Sequence, residues 1–304
     1  MTIEDYARFL PDDVRARVEV EPEEDWWSWR GRRVHLARAR RPDAALRVWV
    51  LHGAGGHSGL VWPLASIVAS EGMDLMVPDL PLYGRTVEPD PSGVRYGDWL
   101  DLLEDLVEAE DDDRPLIVLG ASMGGMLAYE LAARTGRVSA VAATCLLDLS
   151  DPHAREAATR WRWMGKLAPL TLPLLGRLFA RVRVPITWFA DMGSMSRDPE
   201  LARLCASDPL GGGGRVPIGW LASYFAYEHT PPESFTACPV LLVHPANDGW
   251  TPPALSQRFV DRIAVPVETV LLEGCGHFPV EQPGLDQAEA ALRELAERTL
   301  VDLH

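Results

Sequence analysis

The sequence predicts an α/β protein: a mostly parallel central sheet flanked by helices, with a mainly helical segment inserted after the sixth strand. Three observations carry that expectation. From Ala45 onward, short apolar runs alternate with helical patterns, as parallel strands joined by crossover helices do. One of those runs, Leu116-Ile117-Val118-Leu119, stops at the turn Gly120-Ala121-Ser122-Met123-Gly124-Gly125 and passes at once into a helical pattern. Between Ser150 and Phe235 the alternation breaks into helical patches rich in Trp, Leu and Pro, then resumes at Pro239.

Taken in order, Glu19 to Trp29 and Arg33 to Arg38 read as two antiparallel strands around the cluster Trp26-Trp27-Ser28-Trp29. Arg47 to Leu51 is a strand ending in His52-Gly53-Ala54-Gly55-Gly56. A helix near Leu60–Ser70 leads to the strand Met73–Val77 and the turn Pro78-Asp79-Leu80-Pro81. A helix over Gly97–Glu108 precedes the run at Leu116; a helix to about Thr135 and a strand over Val138–Leu147 follow it. The chain then closes with the strand Pro239–Val243, a helix from Pro252 to Ile263, the strand Val267–Leu272 and a helix from about Leu285 to Leu300. This divides the chain into a core domain of residues 1–149 and 236–304 and a helical cap (lid) of residues 150–235. An insertion at the carboxyl end of a parallel strand roofs the place where such sheets carry their ligands.

Bulk properties exclude several classes of function. A net charge of −15 over 304 residues repels nucleic acid and anionic membrane surfaces. No apolar run reaches the length of a membrane span, and the acidic start Met-Thr-Ile-Glu-Asp lacks the basic, then apolar, pattern of a secretory leader. The expectation is a cytoplasmic protein with a small-molecule partner, and nothing in the sequence sets an oligomeric state. Cys145, Cys205, Cys238 and Cys275 lie in or beside apolar runs and are expected to be buried free thiols. Cys and His show no metal-ligand spacing, so neither metal nor cofactor is expected.

The turn at Ser122 has the form of a nucleophile elbow: one serine at the apex of a strand–turn–helix, with glycines two residues either side where a bulky side chain would clash. A serine hydroxyl needs a general base, and the base needs an orienting carboxylate. Asp248, in Asn247-Asp248-Gly249-Trp250-Thr251-Pro252, and His277, in Gly274-Cys275-Gly276-His277, follow in that order, each on a loop after a core strand. Asp148, which ends the strand after the elbow helix, is a second candidate acid; Asp151 and Glu273 are weaker ones. His35, His153, His229 and His244 are poorer bases by position. A developing oxyanion needs prepositioned N–H donors. Met123, at the helix N-terminus, offers one, and the loop after the third strand offers the other from Ala54, with Gly55 as the register alternative. The loop lacks the Lys-Ser/Thr of a phosphate-binding P-loop.

With these residues placed, the chain resembles an α/β-hydrolase-fold serine hydrolase over nearly all of its length outside the insertion. The resemblance rests on His52-Gly53-Ala54-Gly55-Gly56, Asp79-Leu80-Pro81-Leu82-Tyr83-Gly84-Arg85, the elbow, Asn247-Asp248-Gly249-Trp250-Thr251-Pro252 and Gly274-Cys275-Gly276-His277. In layout it is closest to lysophospholipase and monoacylglycerol-lipase-like esterases, whose cap lies between the same two strands. One departure is Leu82-Tyr83, where the family's turn often begins with glycine. The resemblance implies a catalytic triad of Ser122, Asp248 and His277 and ping-pong ester hydrolysis without a cofactor. Thioester hydrolysis, lactone opening, C–C cleavage and hydroxynitrile lysis run on the same triad, and a ligand-binding protein on the same fold is the non-enzymatic reading. An aspartate nucleophile, as in epoxide hydrolases and dehalogenases, is disfavoured by Ser122. The insertion is rich in large apolar side chains, most of which are expected to pack it against itself and the core. The remainder would line a pocket for an uncharged, largely apolar ester, with Gly55, Trp161, Trp188, Trp220 and Trp250 as substrate-binding candidates.

Overall fold

The computed structural model describes residues 1–18, 21–70, 72–110 and 112–301. Eight of its strands form one sheet: β1 (Glu23–Trp29), β2 (Arg32–Ala39), β3 (Arg47–Leu51), β4 (Asp74–Pro78), β5 (Leu116–Gly120), β6 (Ala140–Ala143), β9 (Val240–Pro245) and β10 (Val267–Leu272). Two short strands, β7 (Arg183–Pro185) and β8 (Arg215–Pro217), pair antiparallel in the segment between β6 and β9. The sheet order is β1-β2-β4-β3-β5-β6-β9-β10. β1 and β2 are antiparallel to their neighbours, and every other pairing is parallel. The central strands β3 and β9 are buried at every position, which is why they read as continuous apolar runs and not as alternating ones.

The strand order also assigns the helices to faces. From β3 the chain steps one way to β4, and from β5 it steps the other way to β6. Right-handed crossovers therefore put the helix Ser58–Ser70 on one face and the helices Tyr96–Ala109 and Met123–Thr135 on the other. Tyr96, Trp99, Leu100, Leu103, Leu106 and Val107 are the buried stripe of the first of these two. The second ends at Gly136, whose φ of 62° supplies a left-handed C-terminal cap. The last helix, Gly284–Val301, returns to the face of Ser58–Ser70 and shares a cavity with it.

Several boundaries differ from the sequence reading. β1 starts at Glu23; of the start expected at Glu19, residues 19 and 20 lie outside the described residues. The strand expected over Val138–Leu147 is only Ala140–Ala143. Thr144 still donates its N–H to Gly120 O at 3.0 Å while its hydroxyl bonds the elbow; beyond it the Leu146 N–H donates to Ser256 Oγ at 3.0 Å, so the apolar run continues as a buried loop. Leu82 adopts φ 84°, a conformation that glycine reaches without strain, at the position where the sequence departs from the usual turn. All four cysteines are buried and free. No described helix is long and apolar enough to cross a membrane.

A buried polar node joins three distant segments. The Asp208 carboxylate lies 2.8 Å from Nε2 of His57, accepts the Tyr6 hydroxyl on the same oxygen, and takes the Leu210 N–H at 2.9 Å on the other. Tyr6 belongs to the first helix, Ile3–Ala7, His57 to the loop after β3, and Asp208 to the segment between β6 and β9. Burial pushes the Asp208 carboxyl up, but the His57 and Tyr6 hydrogen bonds outweigh it and hold the group down at about 2. A carboxyl whose pKa is depressed on folding stabilises the protein above its unfolded pKa of about 3.9, and that contribution fades as pH falls toward the folded value. At 1.36 kcal/mol per unit the contribution is about 2.5 kcal/mol. Asp208→Asn is therefore expected to lower stability by about 2.5 kcal/mol in urea denaturation at pH 7, and the gap to the parent should narrow between pH 5 and pH 2. A gap independent of pH would show that the charge of Asp208 is not what ties the three segments.

Candidate active site

β5 ends at Gly120 and the next helix begins at Met123, which leaves two residues for the reversal. Ser122 makes it with φ 54° and ψ −123°, a conformation that costs a non-glycine residue on the order of 1–3 kcal/mol. The surroundings over-determine it. A Cβ on Gly120 would sit 2.1 Å from the Gly124 carbonyl oxygen, and one on Gly124 would sit 2.2 Å from that of Leu51. One on Gly125 would sit 2.1 Å from the Cys145 oxygen. Only hydrogens fit at these three points, so the elbow is wedged between the end of β3 and the exit of β6. The Ala121 N–H donates to Leu51 O and the Ser122 N–H to Thr144 Oγ1, both at 2.8 Å.

His277 lies on the loop after β10, its ring buried. Its Nε2 is 2.9 Å from Ser122 Oγ and its Nδ1 is 2.8 Å from Asp248 Oδ2. Asp248, on the loop after β9, is itself fixed: Oδ1 accepts the N–H groups of Trp250 and Thr251 at 2.8 Å, and Oδ2 accepts the Thr251 hydroxyl at 2.7 Å. Burial raises the Asp248 carboxyl, but the hydrogen bond and charge of His277 and the two Thr251 donors prevail and hold it below the usual aspartate value. With the carboxylate accepting at Nδ1, the tautomer that follows carries its proton there and leaves Nε2 as the acceptor facing Ser122.

The structure thus brings together Ser122, His277 and Asp248. The other candidates lie elsewhere: Asp148 accepts the Ser150 N–H at 2.9 Å, and Asp151 caps the helix Pro152–Ala157. His35 pairs with Asp79 at 2.7 Å, His229 bonds the Tyr96 hydroxyl at 3.1 Å, and His244 faces the Pro245 carbonyl at 3.1 Å. His153 is exposed. Thr144 and Thr251 hold the Ser122 N–H and the Asp248 carboxylate, roles that the sequence reading did not assign to them. Thr251 had a signal, an aspartate three residues ahead of it at a helix entry, where carboxylates cap backbone N–H groups. Thr144 had none, because it sits within an apolar run.

Against the elbow packs the loop after β3: a Cβ on Gly53 would come within 2.9 Å of Ser122 Cβ and 3.2 Å of Met123 N. Met123 is the first helical residue, where N–H groups lack intrahelical acceptors. Ala54 borders a cavity that opens on Ser122 and His277, whereas Gly55 (φ 75°) presses against Met192 and Gly212 of the inserted segment. The tryptophans divide. Trp250 stands with its ring 4.8 Å from that of His277 and donates to Ala157 O at 3.1 Å. Trp161 and Trp188 are exposed and do not border this cavity. Trp220 is fully buried in an aromatic cluster, 4.9 Å from the Trp99 ring, and does not border it either.

Comparison with known proteins identifies the family and the fold. Residues 42–281 match the Hydrolase_4 family, described as serine aminopeptidase, S33. The chain is 28% identical over 235 residues to a monoacylglycerol lipase of Mycolicibacterium smegmatis, covering 73% of this chain and 78% of that one. In structure it is similar to a soluble variant of monoglyceride lipase from Saccharomyces cerevisiae, with a TM-score of 0.73 at 19% identity over 93% of this chain and 96% of that one. It is also similar to the monoacylglycerol lipase of Paleococcus ferrophilus, with a TM-score of 0.66 at 21% identity over 88% and 98% of the two chains. The chain belongs to the Hydrolase_4 family and is a serine hydrolase of the α/β-hydrolase fold.

Proposed function

We propose that this enzyme hydrolyses an uncharged, largely apolar carboxylic ester through a triad of Ser122, His277 and Asp248. The observation that carries the reading is the hydrogen-bonded line Asp248–His277–Ser122 at the mouth of an apolar cavity. In the first half-reaction His277 Nε2 takes the Ser122 proton as Oγ attacks the ester carbon. The N–H groups of Ala54 and Met123 receive the oxyanion, with Ala54 favoured over Gly55 because it is Ala54 that borders the cavity. His277 then gives the proton to the leaving alcohol, and water, activated by the same nitrogen, releases the acid from the acyl-enzyme.

Two features favour an apolar ester over the peptide substrate that the family description suggests. An aminopeptidase must receive a free α-ammonium group, which calls for an unpaired carboxylate near the serine. The carboxylate bordering the cavity, Glu289, already takes both Arg17 nitrogens at 2.6 and 2.8 Å. In addition, Trp163, Leu167, Leu170, Leu174 and Leu178 recur at helical spacing along Arg162–Phe179 and are exposed. Such an outward apolar face suits an enzyme whose substrates sit in lipid aggregates. Within this reading, residues 150–235 form the cap, and Trp250 borders the reacting groups beside His277.

A fluorophosphonate probe should label Ser122 in the folded protein and leave Ser122→Ala unlabelled; no labelling of the parent would exclude an activated serine. Asp248→Asn should cut kcat for p-nitrophenyl esters by about 10³–10⁴-fold, since an amide cannot stabilise the imidazolium. Asp148→Asn should change it less than about threefold. The reverse ranking in the same assay would move the acid to Asp148.

A further inference from the structure

Protein cores are packed as densely as organic crystals, so space inside one calls for an explanation. The cavity that opens on Ser122 does not run outward beneath the inserted segment, of which only Met195 lines it. It runs inward, between the sheet and the two helices on one face. Its floor is Val48 and Val50 of β3 with their parallel partners Ile117 and Leu119 of β5. Its roof comes from Leu64 and Ala65 of the helix Ser58–Ser70 and from Ala288 and Leu292 of Gly284–Val301. Leu119 lies in a central strand with partners on both sides, yet it is only partly buried, because this space lies against it. Small side chains keep the space open: Ala65, Ala288 and Ala296 lie where larger residues would close it.

From this we infer that the core itself holds the acyl chain of the substrate, threaded from Ser122 along β5 between the sheet and these two helices. The inference rests on the ester-hydrolase reading of Ser122 and names its substrate: an ester of an unbranched, medium-length fatty acid. The chemistry of the walls selects an alkyl chain. Beyond Ser122, Thr144 and His277 at the mouth, the polar side chains of the lining are Glu289 and Arg293, and Glu289 is neutralised by Arg17. An alkyl chain needs no hydrogen-bonding partner, and it fills a narrow apolar channel without leaving a polar group unpaired. The dimensions set its length. The lining follows β5 from Ala121 to Ile117, about 13 Å at a strand rise of about 3.3 Å per residue. An extended alkyl chain of bonds near 1.5 Å advances about 1.25 Å per carbon, so the channel takes roughly ten carbons.

The test uses the full chain and p-nitrophenyl esters from acetate to palmitate. The parent should be most active near decanoate. Ala288→Phe, which puts a ring across the channel, should lower the decanoate-to-acetate ratio of kcat/KM at least tenfold. Leu64→Ala, which widens the channel, should move the optimum to longer chains, and it carries the test by itself if the phenylalanine variant does not fold. If both variants keep the parent's chain-length profile within twofold, or if Ala288→Phe only raises the melting temperature, the space is a dry void of the core and the inference fails. Failure of the ester reading itself would look different: no ester of the series would be turned over by the parent.

Discussion

The serine and the backbone around it depend on three places where backbone meets backbone with no room for a side chain. Gly120 against Gly124, Gly124 against the end of β3, and Gly125 against the exit of β6 hold Ser122 in its left-handed conformation. The cost of that conformation is met by contacts made elsewhere, because releasing Ser122 would disturb the bonds from Ala121 to Leu51 and from Ser122 to Thr144 that join the ends of β3, β5 and β6. The same wedge brings the loop after β3 against Met123 N, and the Thr144 hydroxyl at the end of β6 holds the Ser122 N–H. Strand register, nucleophile exposure and the position of the N–H donors are therefore one packing problem.

The proposed acid and base are positioned by a different means. Neither Asp248 nor His277 is strained; both stand on loops after adjacent parallel strands, β9 and β10. Asp248 is fixed by three donors besides His277, so its orientation does not depend on the group it serves. In the proposed reaction the imidazole would gain and lose a proton while its partner stays still, and that independence would serve it.

The features legible in the sequence were those whose local pattern and tertiary role coincide. The glycines around Ser122 are demanded by the turn itself, and the succession of serine, aspartate and histidine on strand ends follows from a parallel sheet placing its loops at one edge. What stayed hidden depends on direction, not residue type. The run Thr144-Cys145-Leu146-Leu147 is as apolar as a strand, and only its hydrogen bonds to the elbow and to Ser256 show that the chain leaves the sheet there. In the inserted segment, tryptophans that look alike in sequence face solvent at Trp161 and Trp188 and are sealed in at Trp220. The channel beside Leu119 was invisible because its alanines lie on two helices more than two hundred residues apart in the chain. Single small residues in helices carry no signal of their own.

The node at Asp208 bears on how anything reaches the serine. Its carboxylate belongs to the inserted segment, while its partners His57 and Tyr6 belong to the loop beside the elbow and to the first helix. Nearby, the Leu210 carbonyl accepts the Gly84 N–H at 2.8 Å, and on the other side of the site the Met195 carbonyl accepts that of Phe278 at 2.8 Å. Lifting the segment as one rigid body would strip a buried carboxylate of both side-chain partners and break these bonds together, a penalty of several kcal/mol. The inserted segment is riveted to the core along the stretch from Met195 to Leu210, so any opening there has to leave those fastenings in place.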